Sequence, residues 1–448
     1  MKYLDCRRMK NKDMEKGNEI KTVVPALRFP EFQNTEGWKE YILGDFLLEQ
    51  PRYGINAPAV PFQAKLPTYI RITDISENGC FLPSPKVSVN QGSISDFYLK
   101  IGDIVFARTG ASVGKCYKYK EKDGKLVFAG FLIKVSPDQT RLSSNFLFQF
   151  TFTQQYWKWI DLTSTRSGQP GINSKELASM ELYLPVKDEQ QKIADCLSSL
   201  DELIEATAQK VEALKEHKKG LMQRLFPAEG KNVPDLRFPE FRGTSAWEEK
   251  KLGNVVEIKG RIGFRGYTTK DIVEQGKGAI SLSPTNITEN GNLNFDKSTY
   301  ISWEKYNESP EIQLQKGHIV LVKTGSSYGK SALVKELPAK TTVNPQIVVL
   351  KPEEGVNKYF ISVLISHPMI QKQIKCAVVG GAIPTLSQES ISKFDVLYPK
   401  KTSYKPSEQE KIADCLSSLD ELIEATSRKV EILKEHKKGL MQQLFPKI

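Results

Sequence analysis

Residues 189–227 read EQQKIADCLSSLDELIEATAQKVEALKEHKKGLMQRLFP, and residues 408–446 read EQEKIADCLSSLDELIEATSRKVEILKEHKKGLMQQLFP. The two differ at 5 of 39 positions, so whatever this segment forms, the chain forms twice. In the first copy Ile193, Leu197, Leu200, Ile204, Thr207, Val211, Leu214, Lys218, Leu221 and Leu225 follow in alternating steps of four and three. The second repeats the pattern without a slip at Ile412, Leu416, Leu419, Ile423, Thr426, Val430, Leu433, Lys437, Leu440 and Leu444. That is the spacing of a coiled-coil seam. A helix of roughly 36 residues is about 55 Å long, more than one compact domain of this size needs, and its single apolar stripe requires a partner. Charge argues for the direction of pairing. Residues 189–205 carry five acids and one base, whereas residues 210–224 carry six basic residues, counting His217, and two acids. Antiparallel pairing sets each acidic half against a basic one and complements both helix dipoles. An intramolecular antiparallel pair is therefore predicted, the alternative being a coiled coil between two chains.

Each helix closes a longer repeat with an offset of about 210 to 220 residues. VPALRFPEF at 24–32 returns as VPDLRFPEF at 233–241, followed by Trp38 and Trp247 and by the Leu-Gly pairs at Leu43 and Leu252. Between these frames only short landmarks are shared: DISENG at 74–79 against NITENG at 286–291, and RTGASVGK at 108–115 against KTGSSYGK at 323–330. Near-identical frames around divergent interiors point to a common scaffold presenting two different reading surfaces. Plain duplication with drift is the alternative, but drift affects frame and interior more evenly. The predicted plan is a polar extension (1–23), a first domain (24–188), a central helix (189–227), a second domain (228–407) and a C-terminal helix (408–448). The fold class is α/β (α+β): two mixed domains in pseudo-symmetric tandem, separated by the long helices. Strands are expected at 103–107, 125–128, 319–322 and 346–350, with helical stretches near 145–160 and 357–374. The aromatics Phe146, Phe148, Tyr156, Trp157 and Trp159 are expected in the core. Strand order cannot be obtained from pattern alone.

The chain has 448 residues, a formal net charge of +11 and a pI near 9.1, which favours an anionic partner, nucleic acid or an acidic membrane surface. The two helical segments with their tails carry −2, leaving +13 on the globular halves, where such a ligand should bind. No apolar run reaches the roughly 18 residues needed to span a bilayer, and residues 1–23 contain no apolar signal core, so a cytoplasmic location is expected. Six cysteines without a CxxC pair and four dispersed histidines lead us to expect neither disulfides nor a structural metal.

GASVGK at 110–115 and GSSYGKS at 325–331 look like phosphate-binding loops but have three residues between the glycines where the nucleotide motif has four. A Gly-Ser turn flanked by cations still suits a DNA backbone, through Arg108, Thr109, Ser112 and Lys115 in one half and Lys323, Thr324, Ser326 and Lys330 in the other. An ordinary tight turn between strands is the competing reading. Asp235 with Glu257 and Lys259 resembles a nuclease metal signature, but its counterparts in the first copy are Ala26, Leu48 and Gln50. SGQPGINS at 167–174 and GGAIPTLS at 380–387, Gly-Pro turns with hydroxyl and amide side chains such as Ser167 and Gln169, can face a groove, where Gln and Asn suit adenine and Arg166 suits guanine or phosphate. They serve equally as helix-start turns with Ser174 or Ser387 near a cap.

With these markers in place, the chain from residue 24 onward resembles the specificity subunit of type I restriction-modification systems. The resemblance rests on the RFPEF and Trp openings, GDIVFARTG at 102–110 and KGHIVLVKTG at 316–325, Pro185 and Pro399 ahead of the helices, and the repeated KIADCLSSLDELIE. It implies two target-recognition domains that each read half of a split sequence in double-stranded DNA, with the paired helices as a ruler. It also implies two modification (methyltransferase) subunits that use S-adenosylmethionine, and restriction subunits that hydrolyse ATP. The chain itself would be non-catalytic and hold no cofactor, S-adenosylmethionine, ATP and magnesium lying on the partners. Residues 29–38, 238–247 and the outer helix faces would be docking surfaces. The join before the second helix is five residues longer than that before the first, and residues 1–23 have no counterpart. Readings from other classes are a nuclease or ATPase acting by itself, and a coiled-coil scaffold without DNA specificity.

Overall fold

The structure is a computed structural model that describes residues 22–92, 94–165, 168–261, 266–377 and 385–447. Two compact units divide the chain: the first runs to Ala208 and takes back the chain from Arg428, and the second is Gln209–Ser427. The repeat seen in the sequence is a repeat of topology. In the first unit Arg52–Tyr53, Leu132–Val135, Ile104–Ala107 and Cys116–Lys118 form an antiparallel sheet in that order. A second sheet orders Ala59–Pro61, Val87–Val89, Thr68–Ile70 and Leu126–Phe128, its last pair parallel. The second unit repeats both, as Val256–Gly260, Ile347–Pro352, Ile319–Val322 and Ser331–Leu333, and as Ile272–Val273, Thr299–Ile301, Ala279–Leu282 and Thr341–Val343. The central strands are buried on both faces and read as unbroken apolar runs such as IVFA and IVLV. The expected helical stretches each divide in two, Ser144–Phe150 with Gln154–Ser164, and Lys358–Ser366 with Pro368–Ala377. Thr153 explains one break, because its hydroxyl accepts from Tyr156 N and caps a new helix. Phe146, Phe148 and Tyr156 are core, with Trp157 and Trp159 packed against it.

The long helices are Lys187–Leu225 and Glu408–Leu444. None of the twenty seam positions is exposed. Their pairing is antiparallel within one chain: Lys437 Nζ lies 2.7 Å from both oxygens of Asp201, and Lys218 Nζ lies 2.6 Å from Asp420 Oδ1. Acidic half therefore meets basic half, as charge required. Each aspartate is also held by its domain, Asp201 by Gln149 Nε2 at 2.8 Å and Asp420 by the Tyr359 hydroxyl. Burial and the neighbouring Asp420 push the Tyr359 phenol up, so it stays protonated and donates.

The seam does not end at the helix pair. Ile193 and Leu197 enter the first unit's core with Met441, Leu444 and Phe445, and Ile412 and Leu416 enter the second's with Leu225 and Phe226. What locks this junction is the opening RFPEF block. Arg28 sets its guanidinium on the Glu189 carboxylate at 2.8 and 2.5 Å, and Trp38 Nε1 donates to the same carboxylate at 3.3 Å. Next to it, Leu27 N donates to Gln443 O at 2.9 Å, so one strap grips the start of the central helix and the end of the C-terminal one. The second unit repeats the device with Arg237 and Trp247 on Glu408 at 2.6, 2.7 and 3.1 Å, and Leu236 N on Arg224 O at 2.8 Å.

Within the segments expected to dock partners, residues 29–38 and 238–247, the two tryptophans serve the interior, while Pro30, Glu31, Gln33–Glu36, Pro239, Arg242, Gly243 and Ser245 are exposed. Trp38 and Trp247 are buried, with Phe29 and Phe238 packed partly buried against the same cores. Removing one partner of a buried charge pair strands the other, so Glu189→Ala or Glu408→Ala should cost about 3–5 kcal/mol. Chemical denaturation checks this, and a loss below about 1 kcal/mol would mean the strap does not secure the helix.

Candidate nucleic-acid interface

In both units the Gly-Ser block is the turn of a β-hairpin. Ile104–Ala107 runs through a 3₁₀ turn at Gly110–Ser112 into Cys116–Lys118, closed by Ala107 N to Lys115 O at 2.8 Å and Gly114 N to Ala107 O at 2.9 Å. Gly110 and Gly114 have φ of +71° and +86°, and Gly325 and Gly329 have +98° and +87°. A Cβ on Gly114 would lie 2.9 Å from Ile160 Cγ1. Conformation and space together demand glycine there. A nucleotide cradle would open into a helix N-terminus, whereas this loop opens into a strand. The three-residue spacing is thus that of a hairpin, and the ATPase reading loses its basis.

The second motif docks on the first. Thr109 bridges to Gly171, Gly110 N donates to Pro170 O at 3.0 Å, and Ile172 N donates to Arg108 O at 2.9 Å. In the other unit Thr324 bridges to Thr385, and Leu386 N donates to Lys323 O at 2.8 Å. Two motifs some sixty residues apart in sequence thus meet in the first unit, and in the second the end of the later motif, Thr385–Ser387, meets the hairpin, its residues 380–384 lying outside the described residues. The helix-start reading holds at the far end of the same loops. Asn173, rather than Ser174, caps Ser174–Ala178, and Ser387 caps Gln388–Ser392.

Arg108 lies with its guanidinium carbon 4.7 Å from the centroid of the Tyr53 ring, and its Nε donates to Gly130 O at 3.2 Å. Tyr53 OH accepts from Ser174 N at 3.1 Å, which ties the ring to the second loop. Phe131, 55 % exposed, completes this edge, its carbonyl accepting from Arg108 N at 3.1 Å. Thr109 and Ser112 are half-buried at the hairpin, and Gln169 is exposed. Lys115 pairs with Glu77 at 2.5 Å, and Lys330 pairs with Glu289. These acids belong to the DISENG and NITENG landmarks, whose recurrence in both copies was a signal for the pairing. In the second unit Lys323 and Thr324 are half-buried and Ser326 is exposed. Burial lowers the pKa of Lys323. Arg166 and Ser167 lie outside the described residues. Tyr53, Phe131 and Gln346 had no sequence signal, because strand order alone brings them here.

The nuclease signature does not assemble as a metal site. Glu257 pairs with Lys259 at 3.0 Å and Lys351 at 3.6 Å, which hold its carboxyl below the usual range, and Asp235 pairs with Lys231 at 2.8 Å. Among the described residues no group of three His, Cys, Asp or Glu could hold a metal ion, and no helix is long and apolar enough to cross a membrane.

Each unit thus carries a hairpin with a second loop docked on it, anchored to its own stretch of the long helices. The family model of the type I restriction modification DNA specificity domain matches residues 36–216 and 244–435, and the chain belongs to that family. It is 21% identical over 422 residues to the type I restriction enzyme MjaVIII specificity subunit of Methanocaldococcus jannaschii, with 92% of each chain covered. Against the HindI specificity subunit of Haemophilus influenzae identity is 29% over 433 residues, covering 81% of this chain and 90% of that one. The fold is shared with the S subunit of a type I restriction-modification system from M. genitalium, with a TM-score of 0.59 at 16% identity over 95% of this chain and 100% of that one.

Gly114→Ala should destabilise the protein by on the order of 1–3 kcal/mol, since it combines a left-handed backbone with a clash against Ile160. Urea unfolding measures this, and an unchanged midpoint would contradict the hairpin geometry.

Proposed function

We propose that the chain is the DNA-specificity subunit of a type I restriction-modification complex and catalyses no step itself. Its two heads read the halves of a split target in double-stranded DNA, and the helix pair sets the unread gap. The chain thereby positions two modification (methyltransferase) subunits and the restriction subunits, in the cytoplasm. S-adenosylmethionine, ATP and magnesium belong to those partners. The observation that carries this reading is the repeated surface: one hairpin and loop, built twice on a shared frame with different side chains at its edge. Frames that must accept the same kind of partner stay alike, whereas surfaces that read different half-sites diverge. The charge distribution supports it, because the basic excess lies outside the helices.

Arg108, Thr109, Ser112 and Lys115, with Lys323, Thr324, Ser326 and Lys330, would contact the DNA backbone, and Arg166, Ser167 and Gln169 would also bind DNA, Arg166 suiting guanine or phosphate. For a modification subunit we assign a groove of ≈ 1090 Å³ in the first unit, lined by Phe148, Phe152, Trp157, Ile204, Met441 and Phe445, with Lys434 and Lys438 at its rim. Its apolar floor and cationic rim suit an amphipathic helix with acidic flanks.

Arg108→Ala and Lys323→Ala should each lower duplex affinity and reduce the slope of log K against log salt by about 1. Salt titrations of binding decide this, and an unchanged slope removes those residues from the backbone contacts. Deleting one heptad from both helices takes out about 10 Å and should change the accepted gap by on the order of three base pairs without altering either half-site. Modified-base sequencing of a host carrying the variant reads the gap, and retention of the original one would overturn the ruler.

A further inference from the structure

In each hairpin a glycine lies beside a glutamine amide, but the glutamine comes from a different loop in each unit. A Cβ on Gly110 would lie 2.8 Å from Gln169 Nε2, and a Cβ on Gly325 would lie 3.4 Å from Gln346 Nε2. The two glycines are equivalent members of the repeated Thr-Gly pair, and both have positive φ. The two glutamines are not equivalent. Arg108 N donates to Phe131 O and Lys323 N donates to Gln346 O, so Gln346 stands where the first unit has Phe131. Thr109 bridges to Gly171 and Thr324 to Thr385, a register that aligns Pro170 with Pro384 and Gln169 with Ile383 in sequence. Ile383 lies outside the described residues and enters only by its identity. Across these two positions, therefore, each unit has one glutamine and one large apolar residue, with the order exchanged.

Exchange of position with conservation of destination is what selection for a ligand contact produces, and packing offers no reason for it, since both glutamines are exposed. Gln346 is also held in place. The buried Asn344 accepts from Gln346 N through Oδ1 at 3.0 Å and donates through Nδ2 to Gln346 Oε1 at 3.1 Å. That bond takes one lone pair of Oε1, and an amide has a second lone pair and two N–H groups to offer a ligand. Acceptor and donor side by side match the major-groove edge of adenine, where N6 donates and N7 accepts. We infer that Gln169 in the first head and Gln346 in the second are the specificity-determining amides, each reading one adenine of its half-site. This rests on the DNA-reading function proposed above.

The test is selection of bound duplexes from a random-sequence library by the full chain and its variants. Wild type should select a split motif. Gln346→Ala should weaken the preference for adenine at one position of one half-site by about 5- to 150-fold and leave the other half-site intact, and Gln169→Ala should do the same in the other half. Gln346→Glu should turn the preference at its position from adenine to cytosine, whose N4 amino group a carboxylate can accept from, a gain that misfolding cannot imitate. Unchanged base preference in the variants overturns the inference while leaving the DNA-reading function standing. Loss of all binding by every variant, or loosening spread over both half-sites, makes the glutamines structural and overturns it likewise. If wild type selects no motif, the DNA-reading function itself fails, and the inference falls with it.

Discussion

The buried guanidinium–carboxylate pair at the start of each long helix is the contact on which the rest of the architecture depends. Burying two charges costs more than their attraction returns unless geometry is good and every remaining polar group is satisfied. Both pairs have bidentate geometry and further hydrogen bonds around them. Arg28 and Arg237 approach Glu189 and Glu408 through two nitrogens, the indole N–H of Trp38 or Trp247 joins the same carboxylate, and Nη1 and Nη2 of each guanidinium also donate to backbone carbonyls, Thr35 and Glu36 in one unit and Thr244 and Ser245 in the other. The glutamate also sits in the first helical turn, where the macrodipole favours an anion. A contact this demanding accepts no change in one partner alone. That accounts for the near-literal repetition of both the RFPEF block and the helix start.

The helix pair builds on this lock through a graded use of charge. Lys218 and Lys437 occupy seam positions, lay their stems along the seam and place their ammonium groups on Asp420 and Asp201. Those aspartates in turn bond to Tyr359 and Gln149 of the adjoining heads. A lysine in an apolar seam lowers stability in exchange for a defined register. Here it also couples register to the head, because one carboxylate answers to both. A slip of the helices would leave the aspartates unpaired in each unit at once.

At the hairpin edge the logic is reversed. The hairpin backbone is invariant in form, set by left-handed glycines and by main-chain bonds to the second loop, neither of which depends on neighbouring side-chain identity. Side chains at the rim are consequently free to differ: Tyr53, Arg108 and Phe131 in one unit, Lys323 and Gln346 in the other. A frame that constrains backbone and leaves side chains open is suited to presenting two chemistries on one plan.

Periodicity and repetition were enough to derive the long helices, their antiparallel sense and the two-domain plan, because a seam and a charge gradient are properties of residues close in sequence. They also marked the hairpin and the second loop as landmarks, and the aromatics near 146–159 as core. Pattern did not show that Trp38 and Trp247 are buried struts, that Glu77 and Glu289 answer Lys115 and Lys330, or that the hairpin and the second loop form one surface. Nor did it point to Gln346. Each of these is a meeting of segments far apart in the chain, decided by strand order and by which faces the sheets bury. Local sequence therefore determined the elements and their direction, while the tertiary structure alone decided which side chains share a site, since that depends on long-range pairing that no local period encodes.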